Sequence, residues 1–570
     1  MFRWALVSNT TIAPLISRLK SEVQSCGCDC EFFVAEHGDA GRQILSPQSE
    51  LYSFKPDLLA LYLDIQQVRP GLEFTLALEN ASRCEAIVSE VVEHVILMVT
   101  ALRDNCVAQL LINSFTVIPR TVMGVGLDPI YRNAVRRINL KLDEALANIP
   151  QCRIYDCESL WAEVGFQQYD RRFEMMAQFP FGVLMQQNLV GEWMRFFRAL
   201  RGLSRKCVVV DLDNTLWGGV LGEDGPEGIQ MGDTPQGRPF RRLQESLKAL
   251  SRRGVILAIN SKNNSADVLP VLHQHPDMVL KETDFAVMQI NWDDKATNMS
   301  RIGRELNIGL RHMVFLDDSA SERDWVRQRH AEVLVPELPK EKSGYADVLL
   351  RCELDTLAVT DEDRKRTTMY SQEKQRRDSQ AEAPSLEEFL KSLNLVVEVQ
   401  SLRSELLDRA AQLCLRTNQF NLTTRRHGPE KLKQLASGDK SEVFMMKAAD
   451  RFGDYGWSGL VIAEIQGESV FIESFLMSCR VMGKNVEFAL MSVLCQWATK
   501  RGCSTIRGLF IPASKNAPCK EFLAKCGLTA NGSATAAGGQ MFEAEISKLQ
   551  LEPADHVKIS VNAAEKWKIT

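Results

Sequence analysis

A chain of 570 residues is too long for one hydrophobic core, so three domains are the expected count. A charged fraction of 25% beside 45% hydrophobic residues excludes a largely disordered or collagen-like chain, and a net charge of -5 leaves no basic field for nucleic acid. The opening MFRWALVSNTTIAPLISRL lacks the unbroken apolar stretch and cleavage site of an export signal, and no run reaches membrane-spanning length, so a cytoplasmic protein is expected. Fifteen cysteines, odd in number and irregular in spacing, read as reduced thiols. Cys26, Cys28 and Cys30 alternate like one face of a strand or turn and have no histidine partner at zinc-finger spacing.

Residues 1–168 alternate short apolar runs with amphipathic stretches. The runs are Trp4 to Val7, Leu58 to Leu63, Val95 to Val99 and Ala108 to Ile112, a rhythm that predicts a parallel α/β domain. Ser8-Asn9-Thr10 at the end of the opening strand and the later Asn113-Ser114 resemble an SGNH-hydrolase-type domain. A serine nucleophile needs an adjacent base, yet no histidine lies between His94 and His273, so Ser8 is read as a turn residue and the hydrolase as absent. Residues 169–204 read as a helical connector, with Leu184, Leu189, Trp193, Phe196, Phe197 and Leu200 spaced for one buried stripe.

Residues 205–345 again alternate strand and helix, with strands expected at Cys207 to Val210, Val255 to Ile259, Met278 to Leu280, Met313 to Leu316 and Val333 to Val335. The densest chemistry follows the first of these. Asp211-Leu212-Asp213-Asn214-Thr215 places two carboxylates at a strand's carboxyl end, where open α/β sheets bind ligands. A carboxylate can attack phosphorus only if a divalent cation offsets the repulsion between the two anions, so further acids are required. Asp317 and Asp318 supply them at the end of a later strand, with oxygen donors suited to magnesium. Between them, Ser261 after Val-Ile-Leu-Ala-Ile and Lys295 in Asn-Trp-Asp-Asp-Lys offer a hydroxyl and an ammonium for the phosphoryl oxygens.

This four-part order resembles the haloacid dehalogenase superfamily. The resemblance makes Asp211 the nucleophile and Asp213 the general acid and base, whose main-chain carbonyl also meets Mg2+, while Asp317 and Asp318 hold the metal. About 45 residues separate Asp213 from Ser261, too few for a large inserted cap domain. Trp217-Gly218-Gly219-Val220-Leu221-Gly222 can form a small flap, and the first or third domain can equally serve as lid.

The strings from Val209 to Gly225, Asn260-Ser261-Lys262-Asn263, Asn291 to Met299 and Arg416-Thr417-Asn418-Gln419-Phe420-Asn421-Leu422-Thr423 resemble the FkbH family, most weakly in the first 150 residues and the tail. The resemblance implies removal of phosphate from 1,3-bisphosphoglycerate and transfer of the glyceryl group to the phosphopantetheine thiol of an acyl carrier protein, for polyketide-type biosynthesis. Asn214, Thr215, Trp217, Gly218 and Lys262 are then the expected substrate-binding residues. The attacking thiolate is either the carrier's own or a relay cysteine. Cys207, at a place where the family commonly has a cysteine, and Cys479, beside Arg480 and before an expected helix, are the candidates. Cys207 lies about 13 Å from Asp211 along an extended strand, so core packing is its other reading.

Residues 346–384 include the charged stretch Asp361 to Glu382, expected to be an exposed helix or linker. Residues 385–546 carry expected strands at Val396 to Val399, Val443 to Met446, Leu460 to Ile465 and Val470 to Phe475. Arg480-x-x-Gly483-Lys484-Asn485, then a helix, resembles the acyl-coenzyme A loop of Gcn5-related acetyltransferases, and Lys515-Asn516-Ala517-Pro518 resembles their later part. The amides of such a turn can hold a pantetheine phosphate, though Asn485 stands where those enzymes often have glycine and can instead cap the helix. Residues 547–570 form a tail without a strong signal.

The expected architecture is α/β and multidomain: an SGNH-like α/β domain, a Rossmann-like haloacid dehalogenase core and an acetyltransferase-like mixed α/β domain. Two rival functions remain at this point, a small-molecule phosphatase with a separate acyltransferase domain and a non-catalytic protein that recruits an assembly line.

Overall fold

The computed structural model describes residues 1–117, 124–417, 419–513, 516–534, 538–549, 551 and 556–562. It divides into two compact units, Met1–Arg198 and Ala199–Thr570.

The first unit holds one parallel sheet, with strands β1 (Phe2–Ser8), β2 (Cys30–Val34), β3 (Leu58–Tyr62), β4 (Gln109–Asn113) and β5 (Cys152–Tyr155) in the order β2-β1-β3-β4-β5. All-parallel strands need both faces covered, and here β3 is buried at every residue. The order reverses between β1 and β3, and there the Asn9 side chain clasps the backbone of Asp64: Asn9 Nδ2 donates to Asp64 O at 3.0 Å and Asp64 N donates to Asn9 Oδ1 at 2.8 Å. Ser8 is buried and its Oγ accepts from Thr10 N, the bond of a turn residue.

Val95 to Val99 is not a strand. It lies inside the Ala81–Asn105 helix, where Val88, Val91, Val92, Val95, Val99 and Leu102 form a buried stripe at three- and four-residue spacing. A short apolar run is ambiguous between the two structures, and here the helical period extending on both sides decides. The connector stripe is also corrected at one end: Leu184 is 49% exposed, while Leu189, Trp193 and Phe197 are buried.

The second unit contains two sheets. Strands β6 (Cys207–Val210), β7 (Ile256–Ser261), β8 (Phe285–Ile290) and β9 (Met313–Leu316) form a parallel sheet in the order β8-β7-β6-β9. The expected strand at Met278 to Leu280 is a buried loop, and its place at the sheet edge is taken by β8, which the residue pattern had not singled out. Val333 to Val335 reduces to a single bridge between Leu334 and Val314.

The larger sheet runs β16-β17-β15-β14-β13-β12-β10-β18, where β10 is Leu395–Ser401, β12 Ser441–Asp450, β13 Gly453–Gln466, β14 Ser469–Met477, β15 Thr505–Phe510, β16 Thr529–Ala534, β17 Gln540–Glu545 and β18 Val557–Asn562. Strands β14 and β15 pair in parallel from Ser469 beside Thr505 only as far as Ile472 beside Gly508. Beyond that point the short β11 (Phe420–Asn421) pairs with β14, and Leu422 links the two strands: its N–H donates to Phe475 O and its carbonyl accepts from Ile511 N, both at 3.0 Å. The tail is not featureless, because β18 adds a parallel strand beside β10.

Asp361 to Glu382 is helical, as Asp361–Arg364 and Arg366–Glu382, but it is not an exposed linker. Asp363, Met369 and Arg376 are buried, and Arg376 makes a two-pronged pair with Asp450 at 2.7 and 2.9 Å. Part of the charge in this stretch is buried in ion pairs, while Asp361, Arg364, Lys365 and Glu382 are exposed. Among the described residues no helix is long and apolar enough to cross a membrane.

Candidate active site

Strands β6 and β9 are neighbours in parallel register, Val210 beside Leu316, so the residues that follow each strand emerge side by side. Asp211 N donates to Leu316 O at 2.9 Å, which extends the pairing by one residue and fixes Asp211 against Asp317. Ser261 ends β7 on the other side of β6. Lys295 reaches the same point from the first turn of the Lys295–Glu305 helix, whose start is held by Asp294, an N-cap that accepts from Thr297 N, and by Asn260 Nδ2, which donates to Lys295 O at 2.9 Å.

The Lys295 ammonium lies 2.9 Å from Asp211 Oδ1 and 2.5 Å from Asp317 Oδ2, and all three side chains are buried. Burial raises the Asp211 carboxyl; Lys295 opposes that shift and the neighbouring Asp317 adds to it. Asp317 and Asp318 are also raised, in each case chiefly by burial. Burial by itself lowers Lys295, but Asp211 and Asp317 outweigh it and hold the ammonium above its ordinary value. Lys295 therefore compensates two of the three carboxylates only in part, and the third, Asp318, lies 3.8 Å from Lys342. Asp211, Asp317 and Asp318 each offer an oxygen, the three within 4.8 Å of one another, a donor set suited to a hard divalent cation.

Asp213 sits beside this cluster with both oxygens fixed. Oδ1 accepts from Trp217 Nε1 at 2.9 Å and Leu221 N at 3.0 Å, and Oδ2 accepts from Asn263 Nδ2 at 2.9 Å. The turn that allows this has Asn214 at φ 54° and Gly219 at φ 93°, with Gly219 N donating to Asn214 Oδ1. A side chain at Gly219 would meet Asp224 Oδ2 at 2.6 Å. Gly218 pairs across to Gln230, and Trp217 is fully buried, so Trp217 to Gly222 is a packed turn that positions Asp213. Thr215 is buried too; its hydroxyl accepts from Asp318 N at 3.1 Å.

The expected substrate-binding Lys262 is engaged by Glu322 at 2.6 Å. Two neighbours of the cluster were given no role from sequence. Asn263 bridges Asp213 and Ser261, donating to Ser261 Oγ at 3.3 Å. Lys342 donates to Asn214 O at 3.1 Å and to Tyr345 Oη at 2.7 Å, and lies 3.8 Å from Asp318. Asn263 belongs to the string Asn260-Ser261-Lys262-Asn263, whereas nothing in the spacing of Lys342 marks it.

Cys207 is fully buried at the opposite end of β6 from Asp211, and burial pushes its thiol well up, away from thiolate. The side chain of Cys479 lies outside the described residues, as do Asn418 and Lys515. Arg480 Nη1 donates to Met369 Sδ, and Lys484 Nζ donates to Arg480 O at 3.0 Å and lies 3.9 Å from Glu373, so both are held toward the Arg366–Glu382 helix. Gly483 has φ 76°; Asn485 precedes the Val486–Lys500 helix at φ 60° and makes no side-chain cap. Its capping reading is thereby corrected: the left-handed conformation turns the chain into the helix without help from the amide.

Residues 3–189 match the family described as FkbH, N-terminal domain. The match falls where the motif resemblance was weakest. The N-terminal part of the protein BF1531 from Bacteroides fragilis, a crystal structure containing a phosphatase domain complexed with Mg, is 29% identical, with TM-score 0.57, covering 63% of this chain and 94% of that one. The ribosomal-protein-S18-alanine N-acetyltransferase from Escherichia coli is 14% identical, with TM-score 0.21, covering 26% of this chain and 94% of that one. A spermidine N-acetyltransferase from Vibrio cholerae is 14% identical at TM-score 0.22, covering 27% and 95%. No curated protein matches the chain. The chain is thus FkbH-like in its amino-terminal domain and, over 63% of its length, similar to a structure that contains a phosphatase domain.

Proposed function

We propose that this protein is a magnesium-dependent phosphohydrolase of haloacid dehalogenase type that takes the ester phosphate from 1,3-bisphosphoglycerate and passes the glyceryl unit to the phosphopantetheine thiol of an acyl carrier protein, in the cytoplasm. The observation that carries the reading is the cluster of Asp211, Asp317 and Asp318 at two adjacent strand ends, the first two paired with the Lys295 ammonium.

A bound Mg2+, held by Asp211, Asp317 and Asp318, would offset the charge that otherwise keeps a phosphate away from Asp211. The chain's own residues then divide the work. An Asp211 oxygen attacks phosphorus, while Lys295 and the Ser261 hydroxyl bind phosphoryl oxygens. Asp213 gives a proton to the departing alkoxide, then takes one from the water that hydrolyses the aspartyl phosphate. Its oxygens are aimed by Trp217, Leu221 N and Asn263 for that transfer.

The acyl phosphate at the other end of the substrate needs different treatment, because hydrolysis there would yield the free acid and lose the activation. A thiolate attacks that carbonyl and expels phosphate. With Cys207 buried in the core, the carrier's own thiol and Cys479 remain as candidate nucleophiles. The FkbH likeness of residues 3–189 and the motif strings support this half of the reading.

Holo carrier encoded nearest this protein's gene, Mg2+, enzyme and 1,3-bisphosphoglycerate should give a carrier bearing a glyceryl thioester with no phosphate, read by intact-protein mass spectrometry. Apo carrier and 3-phosphoglycerate should give nothing. An unmodified holo carrier together with accumulating glycerate would identify a phosphatase instead.

A further inference from the structure

Lys342 reaches the acid cluster from a part of the chain that carries none of the four motif elements. It begins the single turn Lys342–Gly344, after which the buried Tyr345 opens the helix Tyr345–Leu350. Its ammonium donates to Asn214 O at 3.1 Å and to Tyr345 Oη at 2.7 Å, and lies 3.8 Å from Asp318 Oδ2. A lysine ammonium has three N–H donors. Two of them are committed to neutral oxygens, which fixes the charge at one point beside the carboxylate.

Both ends of this bridge belong to the site. Asn214 directly follows Asp213, at a left-handed φ of 54°, and its side-chain oxygen accepts from Gly219 N. A turn of this kind persists only where its surroundings hold it. One tie to Asp318 runs through the backbone, because Thr215 Oγ1 accepts from Asp318 N at 3.1 Å. Lys342 adds a second, from the carbonyl of Asn214 to the carboxylate of Asp318. Lys295 does not duplicate it, since its ammonium serves Asp211 and Asp317. Burial raises the Asp318 carboxyl, and among the charges acting on it Lys342 is the strongest, opposing that rise.

A fixed positive charge beside a metal ligand has two opposed effects. It holds the carboxylate and the adjoining turn in place, and it repels a divalent cation that shares the same carboxylate. We infer that Lys342 is a positioning residue, which holds the Asp213 turn against Asp318 and at the same time weakens the grip of the acid cluster on Mg2+. The inference rests on the proposed phosphohydrolase reading, because it takes Asp318 as a metal ligand and Asp213 as the proton carrier.

Calorimetric titration of Mg2+ into the full-length protein, beside steady-state hydrolysis of a small phosphate ester, tests it. Lys342→Met should bind Mg2+ about threefold or more tightly than the wild type, because a repelling charge is gone. At saturating Mg2+ its kcat should fall about tenfold or more while KM for the ester changes little, the split expected when positioning and not ground-state binding is lost. Lys342→Gln removes the charge but keeps an N–H donor. It should show the same gain in affinity with a smaller loss of kcat, and it covers the case in which Lys342→Met fails to fold. Lys342→Arg, which keeps the charge, should bind Mg2+ as the wild type does. Removing a merely structural lysine would weaken Mg2+ binding or leave it unchanged. Unchanged or weaker binding by folded Lys342→Gln, or wild-type kcat in Lys342→Met, therefore overturns the inference while a wild type that binds Mg2+ and hydrolyses the ester leaves the proposed function standing. A wild type that does neither overturns both.

Discussion

Replacing Lys295 by methionine would leave Asp211 and Asp317 buried with no cation between them, and orphaning a buried charge of this kind costs about 3 kcal/mol or more. Lys295→Met should therefore lose both phosphate release and thermal stability, and added Mg2+ should restore more stability to it than to the wild type, because the cation takes over the missing compensation. Melting curves with and without Mg2+ check this; equal gains would separate Lys295 from the acid cluster. His312 gives a pH signature at the same scale. Its folded-state value, near 3, lies below the ordinary 6.5, so the unfolded chain takes the proton first. Stability is full above about 6.5 and falls by about 1.4 kcal/mol per pH unit as pH drops toward the folded value. Between pH 7 and 5 the wild type should lose about 2 kcal/mol more than His312→Gln in denaturant unfolding. The positions of Asp211, Asp213, Ser261, Asp317 and Asp318 were legible because each follows a short apolar strand, and that of Lys295 because it stands in Asn-Trp-Asp-Asp-Lys before a helix. Lys342 was not, since it begins a single turn of helix, Lys342–Gly344, too short to show a period.

At the scale of elements, the Arg366–Glu382 helix shows why charge alone misleads. Arg376 is buried with its guanidinium 4.0 Å over the Tyr455 ring, while Asp450 accepts from both Arg376 and Tyr455 Oη. Arg376→Met should destabilise by about 3 kcal/mol by leaving Asp450 buried and uncompensated, and adding Asp450→Asn should recover part of that loss. No recovery in the double variant would show that the packing of Arg376, not the charge, matters. The sequence could not distinguish this helix from a solvated one, because a polar pattern records composition and not partners. Val95 to Val99 failed for the opposite reason: a five-residue apolar run fits strand and helix equally until the helical period on both sides is weighed. Strand β18 was missed because its pairing with β10 links segments far apart in the chain.

At the scale of the whole molecule, the core of Met1–Arg198 and the cores of Ala199–Thr570 are built from separate sets of buried residues. Two calorimetric transitions are expected, with Lys295→Met and Arg376→Met lowering one and leaving the other in place. A single transition that moves as a whole would contradict independent units. The α/β rhythm of each part could be read from hydrophobic periodicity, whereas the segment bridging β14 and β15 through Leu422 could not, because nothing local to Phe420 and Asn421 specifies a partner more than fifty residues away.

The claim on which the rest depends is that phosphate passes through a covalent bond to Asp211. Acid quenching of the enzyme during turnover of a labelled phosphate ester in Mg2+, followed by peptide mapping, tests it most directly. The expected result is an alkali- and hydroxylamine-labile phosphoryl group on the peptide that contains Asp211, absent in excess chelator and absent in Asp211→Asn, whose phosphate release should fall at least a thousandfold with the fold intact. Phosphate release at the wild-type rate by folded Asp211→Asn, or label on another residue, would contradict the account.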